Sequence, residues 1–163
     1  MKPEEASAPV TTMLTQRCIE AAMLAEVYAV LVDTIGKDAA LDVVEETVER
    51  AARKAGRNFA AKAPGGPSLT HFAAVTDMWR AGGALAIENV CRQPDSLSFD
   101  VTRCRYAESY REMGLPEELV TRISCLRDGA FVAGYCDKLR LTRPGTIASG
   151  ESRCPFTFTW EKR

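Results

Sequence analysis

The hydrophobic residues of this chain change period partway along it, and that change constrains the fold more than any other feature. From Leu14 to Phe59 they recur three and four residues apart, the spacing of helices that bury one face. Leu14, Cys18, Ala21, Ala25, Tyr28 and Val32 form a first stripe, widened by Leu24, Leu31 and Ile35, and Gly36 closes it. Leu41, Val44, Val48, Ala51, Ala55 and Phe59 form a second, with Glu45, Glu46, Glu49, Arg50 and Arg53 on its outer face. Further along the period becomes two. Leu85 and Ile87, then Leu97, Phe99 and Val101, alternate with small or polar neighbours on either side of Gln93-Pro94-Asp95, which predicts an antiparallel hairpin with one buried face. Alternation returns weakly at Leu139 and Leu141 and clearly at Phe156, Phe158 and Trp160.

Helical spacing resumes between these strands, from Cys104 to Gly114 and then from Pro116, with Glu117 and Glu118 in the first turn, to about Gly134. Ala63-Pro64-Gly65-Gly66-Pro67 is the strongest breaker, read as a loop within one domain, and Ser68 after it caps a short helix through Trp79. The prediction is an α+β fold: two N-terminal helices plus a small antiparallel β-sheet with inserted helices. Residues 1–10 read as a flexible leader and residues 11–163 as a single domain.

A chain of 163 residues buries enough surface to fold without a disulfide or metal staple. Its net charge of −1, from 21 Lys+Arg against 22 Asp+Glu, offers no field for a phosphate backbone, so nucleic acid is not an expected partner. The N-terminus lacks the pattern of a signal peptide, and the longest apolar run is interrupted by Glu26 and Asp33, so no membrane partner is expected. Cys18, Cys91, Cys104, Cys125, Cys136 and Cys154 form no CxxC pair, which argues against a zinc finger and for six free thiols in a reducing cytoplasm. No cofactor or metal is expected, although Cys104, Cys125 and Cys154 could converge on one in space. The apolar stripes of the first two helices are read as core packing, and an exposed face on them as the alternative, a homo-oligomer contact.

The richest chemistry lies where the second hairpin strand gives way to a helix. Cys104, Glu108 and Arg111 share a face there by spacings of four and seven, so a thiol, a carboxylate and a guanidinium can meet in one pocket. A cysteine at a helix N-terminus also feels the positive end of the dipole, which favours the thiolate. Cys125 and Asp128 stand one turn apart on the next helix, and Cys154 precedes the last apolar strand. For each group the plainer alternative is a core cysteine beside a solvated ion pair. His71 is the only histidine, so any Cys-His dyad must use it; a capping or surface role is the alternative. GxSxG, HExxH, P-loop and GxGxxG patterns are absent, which removes serine hydrolases, zinc proteases and nucleotide binders.

Arg103-Cys104-Arg105-Tyr106-Ala107-Glu108, then Tyr110-Arg111-Glu112-Met113-Gly114-Leu115-Pro116-Glu117, Ser124-Cys125 and Arg127-Asp128 occur in an order that resembles the L-2-amino-thiazoline-4-carboxylic acid hydrolase family. The resemblance continues through Leu141-Thr142-Arg143, Thr146-Ile147, Gly150, Cys154 and Phe156 and covers roughly the last half of the chain. It implies hydrolytic opening of a small cyclic amidine: water adds to the carbon between nitrogen and sulfur, and the sulfur leaves to give an N-carbamoyl amino acid. In the scheme it implies, Cys104 attacks, Glu108 or Asp128 shuttles the proton, and Arg105, Arg127 or Arg143 holds the substrate carboxylate; Cys125 is a second reactive thiol or a pocket wall. Arg111, Thr146, Cys154 and His71 complete the substrate-facing set. A competing scheme has a carboxylate activate water directly. The family pattern carries Asn, Glu, Asp and Arg where this chain has Cys136, Ser149, Pro155 and Thr157, which places any difference in substrate near the final strands. The other class of function is a non-catalytic small-molecule-binding module, since the order of helices and strands also suggests sensor domains of the vinyl-reductase type.

Overall fold

A computed structural model describes residues 11–162; the leader expected at residues 1–10 lies outside the described residues. Helix α1 (Met13–Ile35) starts at Thr12, whose hydroxyl accepts a hydrogen bond from the Thr15 N–H at 3.1 Å. It ends at Gly36, which takes a φ of +84° open to glycine at no steric cost, and the chain turns straight into α2 (Lys37–Ala60). One face of α1 packs inward through Ala21 and Tyr28, while Ile19, Met23, Val27 and Val30 stay exposed, so core packing uses only part of its apolar surface.

The buried line of α2 is Ala40, Leu41, Val44, Val48, Ala52 and Gly56. This corrects the predicted stripe at its end, because Ala51 is exposed and Ala55 only half-buried. A hydrophobic pattern scores glycine as nothing, yet Gly56 is where α2 meets α7 (Leu126–Tyr135). A methyl group at Gly56 would lie 2.2 Å from the Phe131 carbonyl oxygen, and one at Gly134 would lie 2.2 Å from that of Arg53, so the two backbones touch at reciprocal glycines.

The segment capped by Ser68 forms two short helices, α3 (Leu69–Phe72) and α4 (Val75–Arg80), where one was predicted. Strands β1 (Leu85–Arg92) and β2 (Ser96–Cys104) form the predicted hairpin, and α5 (Arg105–Glu112), α6 (Glu117–Ser124) and α7 follow before β3 (Leu139–Thr142) and β4 (Cys154–Trp160). The single helix predicted from Pro116 to Gly134 is interrupted at Cys125, where arginine side chains take the carbonyls of Ile123 and Cys125. Among the described residues the strands make one antiparallel sheet in the order β1-β2-β4-β3, an α+β architecture.

Two clusters of buried side chains make the core. One lies on the sheet, with Leu97, Phe99, Val101, Phe156 and Phe158 packed under Phe72, Trp79, Phe131 and Tyr135. The other joins α1, α2, α5 and α6 through Tyr28, Val44, Val48, Tyr110, Leu119 and Ile123. Cys104 borders both, so the junction of β2 and α5 sits where they meet. Among the described residues no helix is long and apolar enough to cross a membrane.

Candidate functional site

At that seam lies a partly open cavity of about 280 Å³. Its walls are mainly apolar, from Ala52 and Phe59 of α2, Trp79, Val101, Phe131 and Phe156, while Arg17, Lys62, Ser124, Arg127, Asp128 and Arg143 supply the polar groups. A small apolar chamber with a few converging polar groups is the usual form of a small-molecule site.

Cys104, Cys125 and Cys154 all line it, and all six cysteines of the chain are free. Each arrives from a different element: the end of β2, the break between α6 and α7, and the start of β4. Cys104 is the N-cap of α5, as the dipole argument requires, but its burial dominates and pushes the thiol up to about 11, against the backbone N–H groups of Ala107 and Tyr106. The expected thiolate is therefore replaced by a neutral thiol at ordinary pH. Cys154 is also raised by burial, and its sulfur accepts the Ile147 N–H at 3.1 Å. Among the described residues these thiols do not converge in a group able to hold a metal ion.

Asp128 is the carboxylate of the cavity. Its Oδ2 accepts a short hydrogen bond from Arg143 Nη1, yet burial outweighs the nearby guanidiniums and pushes its carboxyl up to about 6. Arg143 is held on three sides: by Asp128, by the Cys125 carbonyl at 2.9 Å and by the Phe156 ring 5.1 Å from its Cζ. Arg127 donates to the Ile123 carbonyl at 3.0 Å and to Glu20 at 3.0 Å, and Arg17 binds the same Glu20 at 2.6 Å.

Five residues expected at the site lie elsewhere. Glu108 accepts two hydrogen bonds at 3.0 Å from Arg103 outside the cavity, because α5 begins after Cys104 and turns Ala107 and Tyr110 inward instead of Glu108 and Arg111. Arg105 is exposed, and Arg111 is spent on Glu117 at 2.7 Å and the Ala148 carbonyl at 3.1 Å. Thr146 forms a capping box with Ser149, and His71 sits 2.9 Å from the Tyr135 hydroxyl with its ring against Phe59. The positions where the family pattern differs, Cys136, Ser149, Pro155 and Thr157, do not line the cavity either; on β4, strand alternation turns Cys154 and Phe156 inward and Pro155 and Thr157 away. Sequence reasoning missed Arg17, Trp79, Tyr106 and Tyr110. Arg17, the lone basic residue of α1 and three residues before Glu20, was the one available signal.

The cavity wall built from Cys104, Cys125, Asp128, Arg143 and Cys154 lies within residues 16–158, which match the family model of L-2-amino-thiazoline-4-carboxylic acid hydrolase. The chain belongs to this family. The match takes in α1 and α2 as well as the half in which the resemblance was legible. No curated protein is similar enough to match. Among solved structures the fold is similar to the phenol-responsive sensory domain of the transcription activator PoxR with phenol, at 14% identity and a TM-score of 0.52, over 91% of this chain and 76% of that one. It is also similar to a trafficking protein particle complex subunit 3 from Naegleria fowleri covalently bound to palmitic acid, at 14% identity and a TM-score of 0.50, over 88% and 96% of the two chains. At these identities the likeness concerns the fold.

Proposed function

We propose that this chain opens a small cyclic amidine bearing a carboxylate, of the 2-aminothiazoline-4-carboxylate type, by hydrolysis in the central cavity. The observation that carries this, beside family membership, is the Asp128 carboxylate in the cavity wall, held by Arg143 and pushed up by burial to about 6. A base poised just below neutral pH is ionised at pH 7 and still returns its proton readily. Asp128 takes a proton from water as the oxygen bonds to the ring carbon between nitrogen and sulfur. One proton of that water reaches the ring nitrogen and the other the sulfur as the C–S bond breaks, with Asp128 as the relay, leaving an N-carbamoyl aminothiol. Arg143 keeps Asp128 in place. A thiol raised to about 11 favours water over Cys104 as the attacking group, because Cys104 would first have to lose its proton to Asp128.

The test is turnover of 2-aminothiazoline-4-carboxylate and related cyclic amidines, in chelator, by wild type, Asp128→Asn and Cys104→Ser. We expect Asp128→Asn to lose roughly 10²–10⁴ in kcat and Cys104→Ser to stay within about tenfold of wild type. An equally deep loss in Cys104→Ser would make the thiol the nucleophile. A second reading, a small-molecule-binding module without turnover, draws on the phenol and the palmitic acid named for the two proteins of similar fold. It would replace the first if folded wild type opens no ring of the panel yet binds one.

A further inference from the structure

The polar side of the cavity contains more positive charge than the reaction needs. Arg143 and Asp128 neutralise each other, and Arg143 has its other contacts in the Cys125 carbonyl and the Phe156 ring, with only its Nε buried without a partner. Arg17 and Arg127 are different. They come from α1 and α7, both line the cavity, both are mostly buried at 16% and 13% side-chain exposure, and they share a single carboxylate, Glu20. Two guanidiniums against one carboxylate leave a net charge of +1 in a largely buried setting, with Glu20 itself 33% exposed. Burying unbalanced charge is costly unless something completes the pair.

Their hydrogen bonding is incomplete as well. Arg17 reaches Glu20 through Nη1 alone, and Arg127 uses Nε on the Ile123 carbonyl and Nη2 on Glu20. Among the described residues Arg17 Nη2 and Arg127 Nη1 therefore meet no protein acceptor. Burial first, and then the repulsion of Arg17 across their shared Glu20, pull the Arg127 pKa down. Glu20 is pulled up by burial, but the hydrogen bond and charge of Arg17, with Arg127 behind it, overcome this and hold it below the usual carboxylate range. It is thus a fixed anion that brackets the arginines and cannot neutralise both.

We propose that Arg17 and Arg127, bracketed by Glu20, form the clamp that selects a planar carboxylate ligand for this cavity, with Arg17 the specificity-determining residue contributed by α1. A guanidinium fork matches a carboxylate in a fixed geometry, and two forks with unspent donors hold it at one end of the cavity while Phe131, Phe156 and Trp79 wall the ring. The proposal rests on the reading of the cavity as the substrate site, and it deepens that reading by naming what the site recognises and through which residues.

Benzoate and benzamide test it directly, since they share size and shape and differ in the charge the clamp reads. Trp79 lies in the cavity wall and reports binding by fluorescence, with calorimetry as the second measure. Wild type should bind benzoate about tenfold or more tightly than benzamide, and Arg17→Gln should bring the two within about twofold, with most of the loss on the benzoate side. If Arg17→Gln melts early by circular dichroism, Arg17→Lys keeps the charge but loses the fork, and should cut the preference several-fold. Equal binding of the two probes by wild type overturns the clamp, as does an unchanged preference in both variants. A benzoate preference without any ring opening leaves the clamp standing and removes the hydrolase; ring opening without a preference removes only the clamp.

Discussion

An Asp128 carboxyl raised from 3.8 to about 6 makes the folded chain hold a proton that the unfolded chain has already lost. Unfolding between those values releases that proton, so the stability owed to Asp128 falls as pH rises from about 4 to about 6 and is level above, by up to about 3 kcal/mol. Turnover has the opposite slope, because the base works ionised: kcat/KM should rise through about pH 6. Asp128→Asn should flatten the melting profile across this window and abolish the rate limb, and a variant that kept either would show that another group titrates there. Glu20 has the reverse sign. Held below its ordinary value, it stabilises the fold at neutral pH and loses that contribution as acid protonates it. Cys104 gives an independent check on burial: iodoacetamide at neutral pH should label exposed Cys91 well before Cys104, and equal labelling rates by peptide mass would mean that the thiol is not desolvated.

Helices α2 and α7 pack backbone to backbone, and the contact depends on two residues that contribute no side chain. Gly134→Ala would put its methyl 2.2 Å from the Arg53 carbonyl oxygen, where only backbone can give way. The helices must move apart, at a cost of about 3 kcal/mol in urea or thermal unfolding. Gly129→Ala, five residues earlier on the same helix, meets nothing within 4 Å and should instead stabilise by roughly 0.5–1 kcal/mol through helix propensity. A similar effect in both variants would contradict the close approach. Because Arg127 and Asp128 sit on α7 and Ala52 and Phe59 on α2, the Gly134 variant should also weaken binding in the cavity, whereas Gly129→Ala should not.

The two buried clusters share helix α2 and meet at Cys104, with the cavity between them. We expect one cooperative unfolding transition in which far-UV circular dichroism and the fluorescence of Trp79 and Trp160 coincide. Separate transitions would mean that the helical cluster around Tyr28 and Leu119 folds apart from the sheet. A carboxylate in the clamp would bridge α1 and α7, so benzoate should raise this transition while benzamide leaves it nearly unchanged.

Periodicity along the chain was enough to place α1, α2, the hairpin and the last strands, because each element buries one face and the spacing of its apolar residues follows from its own geometry. Spacing and element boundaries singled out Cys104, Cys125, Asp128 and Cys154, and the family resemblance added Arg127 and Arg143; all of them reach the cavity. What these signals could not supply was direction at the junctions. Beginning α5 one residue after Cys104 turns Glu108 outward, and a break at Cys125 re-aims α7. The strand order, the reciprocal glycines and the arrival of Arg17 from α1 depend on contacts between residues far apart in the chain. The thiol at position 104 shows the division most clearly. Local sequence puts it at a helix N-terminus, where the dipole lowers its pKa, and tertiary packing buries it, where desolvation raises it; desolvation is the larger effect, and only the assembled fold removes the water.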